Sequence, residues 1–209
     1  MNLDISFNIA SGLLILCLLP LYIYRKQILK KFTKSDSFHL FVNDVKSYMS
    51  KYHPKIQIDY SIIEKTKIEE NTIIHENIIV ENILQQFFDY PYKKKTQKSI
   101  PKEKLWATYI EKSISNPKYP NDWAQRKEFA WKRDNKSCNR CAKILTLDNT
   151  FSTFAKDIKD GGGYNFENII ILCSDCNKIL NSTNPKSTIS SLILNDKLMS
   201  FVEHSQNKI

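Results

Sequence analysis

Between Ile5 and Tyr24 the chain carries no charged residue, and the run is dense in Leu13, Leu14, Ile15, Leu16, Leu18 and Leu19. As a helix, these twenty residues at about 1.5 Å each span roughly 30 Å, the thickness of a bilayer's hydrocarbon core. Tyr22 and Tyr24 stand where interfacial aromatics belong, and Arg25, Lys26, Lys30, Lys31 and Lys34 follow, against only Asp4 on the other flank. The pattern predicts a single-pass anchor in the cytoplasmic membrane, with the N-terminus outside and the rest of the chain in the cytoplasm. A cleaved signal peptide would carry its positive charge before the apolar run and small residues after it, and neither holds here. A buried core helix would seldom stay uncharged for this long. Pro20 predicts a kink near the inner end, which lipid-embedded helices tolerate.

Beyond the anchor the period changes. Phe38, Leu40, Phe41, Val45 and Tyr48 recur at helical spacing, and Pro54 closes that segment. Ile56, Ile58, Tyr60 and Ile62 alternate with polar residues, the period of a half-buried strand. A further helix is expected through Ile79, Val80, Ile83, Leu84, Phe87 and Phe88, and another from Pro101 to Ser113. Residues 116–120 read as a loop and a domain boundary. The last apolar stripe, Ile189, Leu192, Ile193, Leu194 and Leu198, predicts a helix packed back on the C-terminal domain. The fold class expected is therefore α+β in three parts: residues 1–31 as transmembrane anchor with a basic juxtamembrane segment, 32–117 as a small α+β spacer with a Lys-rich linker, and 118–209 as the C-terminal domain.

With 42% hydrophobic and 25% charged residues the chain can bury a core, which excludes general disorder. Its net charge of +9 suits a polyanion, either nucleic acid or an anionic lipid surface. The run Lys93, Lys94, Lys95, Lys98, Lys102 and Lys104 concentrates that charge, either as a solvated linker or as a phosphate-tracking surface. His39, His53 and His75 stand apart from one another and from any cysteine, the usual situation of surface or packing histidines.

Of five cysteines, Cys17 lies inside the apolar run and the others form two pairs, Cys138-Asn139-Arg140-Cys141 and Cys173-Ser174-Asp175-Cys176. Each CxxC places two thiolates on one tight turn, and two such turns complete a tetrahedron around zinc. Four sulfurs leave no open position, so the predicted role is structural, stabilising a small domain with a thin core. A pair of redox dithiols would need a thioredoxin-like βαβ context that is absent from the pattern.

The residues around the knuckles resemble the HNH endonuclease superfamily. Asp122-Trp123-Ala124-Gln125-Arg126-Lys127 and Trp131-Lys132-Arg133-Asp134-Asn135 lead into Cys138. They are similar to the tryptophan, arginine and "RD" pattern before the first knuckle of many HNH proteins. Gly161-Gly162-Gly163, then Asn165 to Ile170 and Leu172-Cys173, look like the glycine pair, central Asn and "NLxxLCxxC" end of the same motif. The resemblance spans about Trp123 to Leu180. It implies a ββα-metal unit, DNA as partner, a loop-bracing role for Asn168, and Asn177 at the final His or Asn position. The family reaction is phosphodiester hydrolysis, in which a divalent ion, magnesium or manganese, stabilises charge while a histidine deprotonates water.

The stretch matching the first HNH histidine is Ser152-Thr153-Phe154-Ala155-Lys156-Asp157-Ile158, and Phe154 stands at or beside the base position. No histidine occurs between Glu76 and Glu203. Phenylalanine cannot take a proton, and Thr153, near the ion-ligand position, is a poor sole ligand for magnesium. Asp157 and Asp160 are carboxylates that could hold an ion instead, with Lys156 steadying a phosphate; on a surface loop such residues are more often simply solvated. Three functions follow as expectations. They are a membrane-tethered nuclease with a rebuilt site, an HNH-like module that binds DNA without cutting it, and an inactive zinc module that docks a protein partner at the membrane.

Overall fold

The computed structural model describes residues 5–66, 69, 71–96 and 119–206. Its helices are α1 (Ile5–Tyr52), α2 (Ile62–Lys65), α3 (Thr72–Asp89), α4 (Trp123–Arg133), α5 (Ser174–Leu180), α6 (Pro185–Ser190) and α7 (Ile193–Gln206). Its strands are β1 (Phe151–Phe154) and β2 (Ile169–Leu172), so the chain is mixed helix and small sheet.

Three helices form one layer. On α1 the residues Phe41, Val45 and Met49 follow at four-residue spacing, which stacks them on one helix face, and all three are buried. On α3 the corresponding stripe is Ile79, Val80, Ile83, Leu84 and Phe87; on α7 it is Leu194, Leu198 and Val202. The three stripes face one another, with α7 packed on both α1 and α3. Asn71 caps α3 by accepting from the backbone N–H of Ile73 at 3.1 Å, which satisfies one of the otherwise unpaired donors of its first turn.

The second unit is built on two short strands. β1 and β2 are antiparallel, with Phe151 opposite Leu172 and Phe154 opposite Ile169. All four residues of β2 are buried, and α4 lies against this strand. The order β1, β2, α5 is the ββα arrangement, and the final helix crosses away from it. Although α7 contacts α5, its main partners are α1 and α3. The stripe expected to pack back on the C-terminal domain touches α5 there and packs mainly on α1 and α3.

The strand expected over Ile56–Ile62 does not form. Residues 57–60 run as irregular backbone, and Ile62 opens the short helix α2. Alternation gave Ile56 its buried position, but no neighbouring strand offers a ladder there. Instead the backbone N–H of Asp59 donates to Oε1 of Gln86 on α3 at 2.8 Å, and Nε2 of Gln86 donates back to the Asp59 carbonyl at 2.9 Å. A glutamine side chain on a helix has taken the place of a partner strand. Among the described residues the region before α4 is therefore helical, and both strands belong to the cysteine unit.

The backbone of α1 is helical throughout Ile5–Tyr24 and passes through Pro20. Leu13, Leu16 and Leu18 are exposed, while many other side chains of this run lie outside the described set. Among the described residues no helix is long and apolar enough to cross a membrane. The helix expected at Pro101–Ser113, and Lys98, Lys102 and Lys104, also fall outside the described residues.

Candidate functional site

The first knuckle is a tight hairpin closed by a single bridge between Ser137 and Ile144. The Cys138 N–H donates to the Lys143 carbonyl and the Ala142 N–H to the Cys138 carbonyl, both at 2.8 Å, and Ala142 takes a positive φ of 64° to complete the turn. The second knuckle begins at Cys173, whose sulfur caps α5 by accepting from the Cys176 N–H at 3.4 Å. All four cysteines are buried, and their sulfurs lie within 4.8 Å of one another.

These sulfurs fit a metal. Zinc–sulfur bonds of about 2.3 Å in a tetrahedron put the sulfurs about 3.8 Å apart, and the Cys141 and Cys173 sulfurs stand at 3.8 Å. Four thiolates on a buried, closed cluster can hold a structural zinc ion and present no place for substrate. Burial raises the Cys138 thiol, but hydrogen bonds from Cys141, Cys173 and Cys176 outweigh it and bring Cys138 below the usual range.

The residues between the cysteines tie this centre to the helical layer. Arg140 is buried, with Nη2 donating to the carbonyls of Phe87 at 2.6 Å and of Phe88 and Tyr90 at 3.2 Å, at the C-terminal end of α3. Its Nη1 reaches the Cys176 sulfur at 3.7 Å. A zinc ion with four thiolates is doubly negative, so a buried guanidinium beside it is electrostatically matched, and its Nη2 suits the carbonyl end of a helix. Asp175 does the converse. Its two carboxylate oxygens accept from the N–H groups of Ile193 at 2.8 Å and Leu194 at 3.1 Å, at the start of α7. Neither residue was singled out from the sequence, where a charged residue in a CxxC turn reads as solvated.

The C-terminal end of the approach helix α4 is fastened to its surroundings. Trp131 donates through Nε1 to the Leu145 carbonyl at 3.0 Å, and Arg133 makes paired bonds to Asp134 at 2.7 and 2.9 Å. Arg133 also donates to the carbonyl of Ile169, fastening α4 to the start of β2.

Asn168 is buried and makes three hydrogen bonds. Oδ1 accepts from the Lys156 N–H at 2.8 Å, and Nδ2 donates to the carbonyls of Lys156 and Gly163, both at 2.9 Å. It thereby spans both ends of the glycine loop. Among the three glycines only Gly161 has positive φ, 86°. Gly162 is required for another reason: a Cβ there would run into the Lys156 carbonyl oxygen. Lys156 is half-buried and held by its backbone.

Phe154 lies half-buried among rings, 5.9 Å from Trp123 and 5.7 Å from Tyr164. It also lines an open depression of about 540 Å³ with Thr153, Asp157, Asp160, Lys94 and Lys159. Asp157 is half-exposed and pairs with Lys94 at 3.1 Å. Asn177 does not line this depression; it accepts from Asn181 one turn on, and Asn181 stands at the rim instead. No histidine lines it either. Among the described residues the four cysteines are the one group of three or more ligand-type side chains close enough to hold an ion, and Asp157 and Asp160 do not gather a third donor. His53 and His75 are buried packing residues, and His39 and His204 are exposed.

The chain matches no family model, no curated protein and no solved structure.

Proposed function

We propose that the chain is a membrane-tethered, zinc-stapled HNH-like module that binds DNA and does not cut it. Phe154 carries this reading. Where the HNH motif has its general base, the chain has a hydrocarbon ring packed between Trp123 and Tyr164; no histidine lines the depression beside it, and of its carboxylates Asp157 is held by Lys94. The ββα order, the closed cysteine centre and the bracing bonds of Asn168 support the HNH-like frame. The net charge of +9 supports a polyanionic partner. The unbroken helical backbone over Ile5–Tyr24 and the exposed Leu13, Leu16 and Leu18 support a tether, with the basic flank on the cytoplasmic face.

The test is duplex DNA binding by the full chain in nanodiscs of zwitterionic lipid, followed over a salt titration. Each neutralised phosphate steepens the slope of log K against log salt by about 0.9. A slope of several is expected; absent or salt-insensitive binding would sink the reading. A second reading, a zinc module that docks a protein partner at the membrane, draws on a groove between α3, α6 and α7. Val80, Leu84, Ile189 and Met199 form its apolar floor. Absence of DNA binding would favour that reading.

A further inference from the structure

Four aromatic rings meet where α4 begins beside the end of β1. Tyr119 stacks over Trp123 with 4.6 Å between centroids and 30° between planes. Tyr164 meets Tyr119, Trp123 and Phe154 edge-on at 5.7, 6.0 and 5.7 Å. Edge-to-face contacts of this kind hold the rings in fixed orientations. Trp123 and Phe154 pack against the core, but Tyr119 is 58% exposed. The cluster therefore presents one flat, braced ring to solvent.

Phe154 belongs both to this cluster and to the depression that contains Lys94 and Lys159. Charge in the depression is balanced: Lys94 is paired with Asp157, and Asp160 lies in the same wall as Lys159. Phosphate attraction is thus not concentrated here. What the place offers a polyanion is ring surface, and the net charge of +9 supplies the general attraction. Bases inside a duplex are already stacked on their neighbours, whereas unpaired bases are free to stack on a protein ring.

We infer that Tyr119, backed by Trp123, forms a stacking shelf for an unpaired base of single-stranded DNA. This rests on the DNA-binding reading above and adds which form of DNA the module prefers.

The experiment uses the full chain in nanodiscs of zwitterionic lipid, with a labelled thymidine oligonucleotide and a duplex of the same length. The single strand is expected to bind more tightly. Tyr119→Ala should weaken single-strand binding about fivefold or more, the effect of losing one stacked base, and leave duplex binding nearly unchanged. Tyr119→Phe should restore it, because the ring is what matters. Phe129→Ala removes an exposed ring of α4 that lies outside the cluster, and should change neither affinity. Zinc content confirms that each variant is folded. If Tyr119→Ala binds the single strand as the parent does, or loses both forms in step, the shelf is wrong and DNA binding stands. If neither form binds the parent chain, the DNA-binding reading falls and the shelf with it.

Discussion

Arg140 and Asp175, the charged members of the two CxxC turns, hold opposite ends of two different helices. Arg140 donates to the Phe87 carbonyl at the end of α3 at 2.6 Å, and Asp175 accepts from Ile193 and Leu194 at the start of α7. Each charge opposes the partial charge of the helix end that it meets. The cysteine centre is therefore the junction between the ββα unit and the helical layer.

Replacing Arg140 exposes this dependence. Arg140→Met would leave the carbonyls of Phe87, Phe88 and Tyr90 without their buried donor and remove the cation beside the Cys176 sulfur. Destabilisation of about 3 kcal/mol or more is expected in urea unfolding of the zinc-loaded chain. Arg140→Lys should not recover it, because a single ammonium cannot copy the guanidinium fork. A loss below about 1 kcal/mol would show that the contact is incidental.

Asp175→Ala removes both acceptors at the start of α7 and should cost about 1 to 2 kcal/mol. Asp175→Asn keeps one acceptor and should cost less. Amide exchange at Ile193 and Leu194 is the direct readout, since these two N–H groups lose their partner first.

Metal removal should act beyond the ββα unit. One zinc per chain is expected, and a single Cys173→Ser should lower the content sharply. Chelation should also weaken helical circular dichroism from α3 and α7, because Arg140 would lose the thiolate charge that matches it and Asp175 the knuckle that holds it. Unchanged helix content after complete zinc loss would contradict the junction.

The glycine loop is braced by one side chain. Asn168→Ala deletes three hydrogen bonds and leaves the Gly163 carbonyl without that donor, so a cost of about 2 to 4 kcal/mol is expected. Loss of amide protection at Lys156 would locate the effect in the loop.

Glu76 makes the helical layer sensitive to pH. Its carboxylate is buried on α3 and, among the described residues, accepts from the Ser205 hydroxyl, at 3.0 and 2.9 Å. Burial raises its pKa above the ordinary 4.5, and the Ser205 bond offsets part of that rise. A raised folded pKa means that stability is full below the unfolded value and is lost as pH rises through the folded value. Glu76→Gln should therefore be close to neutral near pH 4 and stabilising at pH 8, measured as the difference from the parent chain in urea at each pH. A variant that is equally stable relative to the parent at both pH values would show that the carboxyl is not perturbed.

Much of the candidate centre was legible because four cysteines in two CxxC turns have few other uses, and the helical stripes of α3 and α7 were legible from their spacing. The strand at Ile56–Ile62 was not, because alternation records which side chains are buried and says nothing of whether a ladder partner exists; Gln86 supplied the bonds instead. The direction of α7 was hidden for a similar reason. An apolar stripe does not say which face it will meet, and the deciding contact is the Asp175 cap at its start. Arg140 and Asp175 could have been suspected from opposite charges set inside knuckles with no room for solvent.

In the proposed reading Phe154 stands where a general base is needed. Supercoiled plasmid incubated with the zinc-loaded full chain in nanodiscs, with magnesium or manganese, tests this most directly. The expected result is plasmid that is bound at low salt and recovered uncut. Nicked or linear product that disappears in Asp157→Ala, with zinc content intact, would mean a working hydrolytic site built from other groups and would contradict the account.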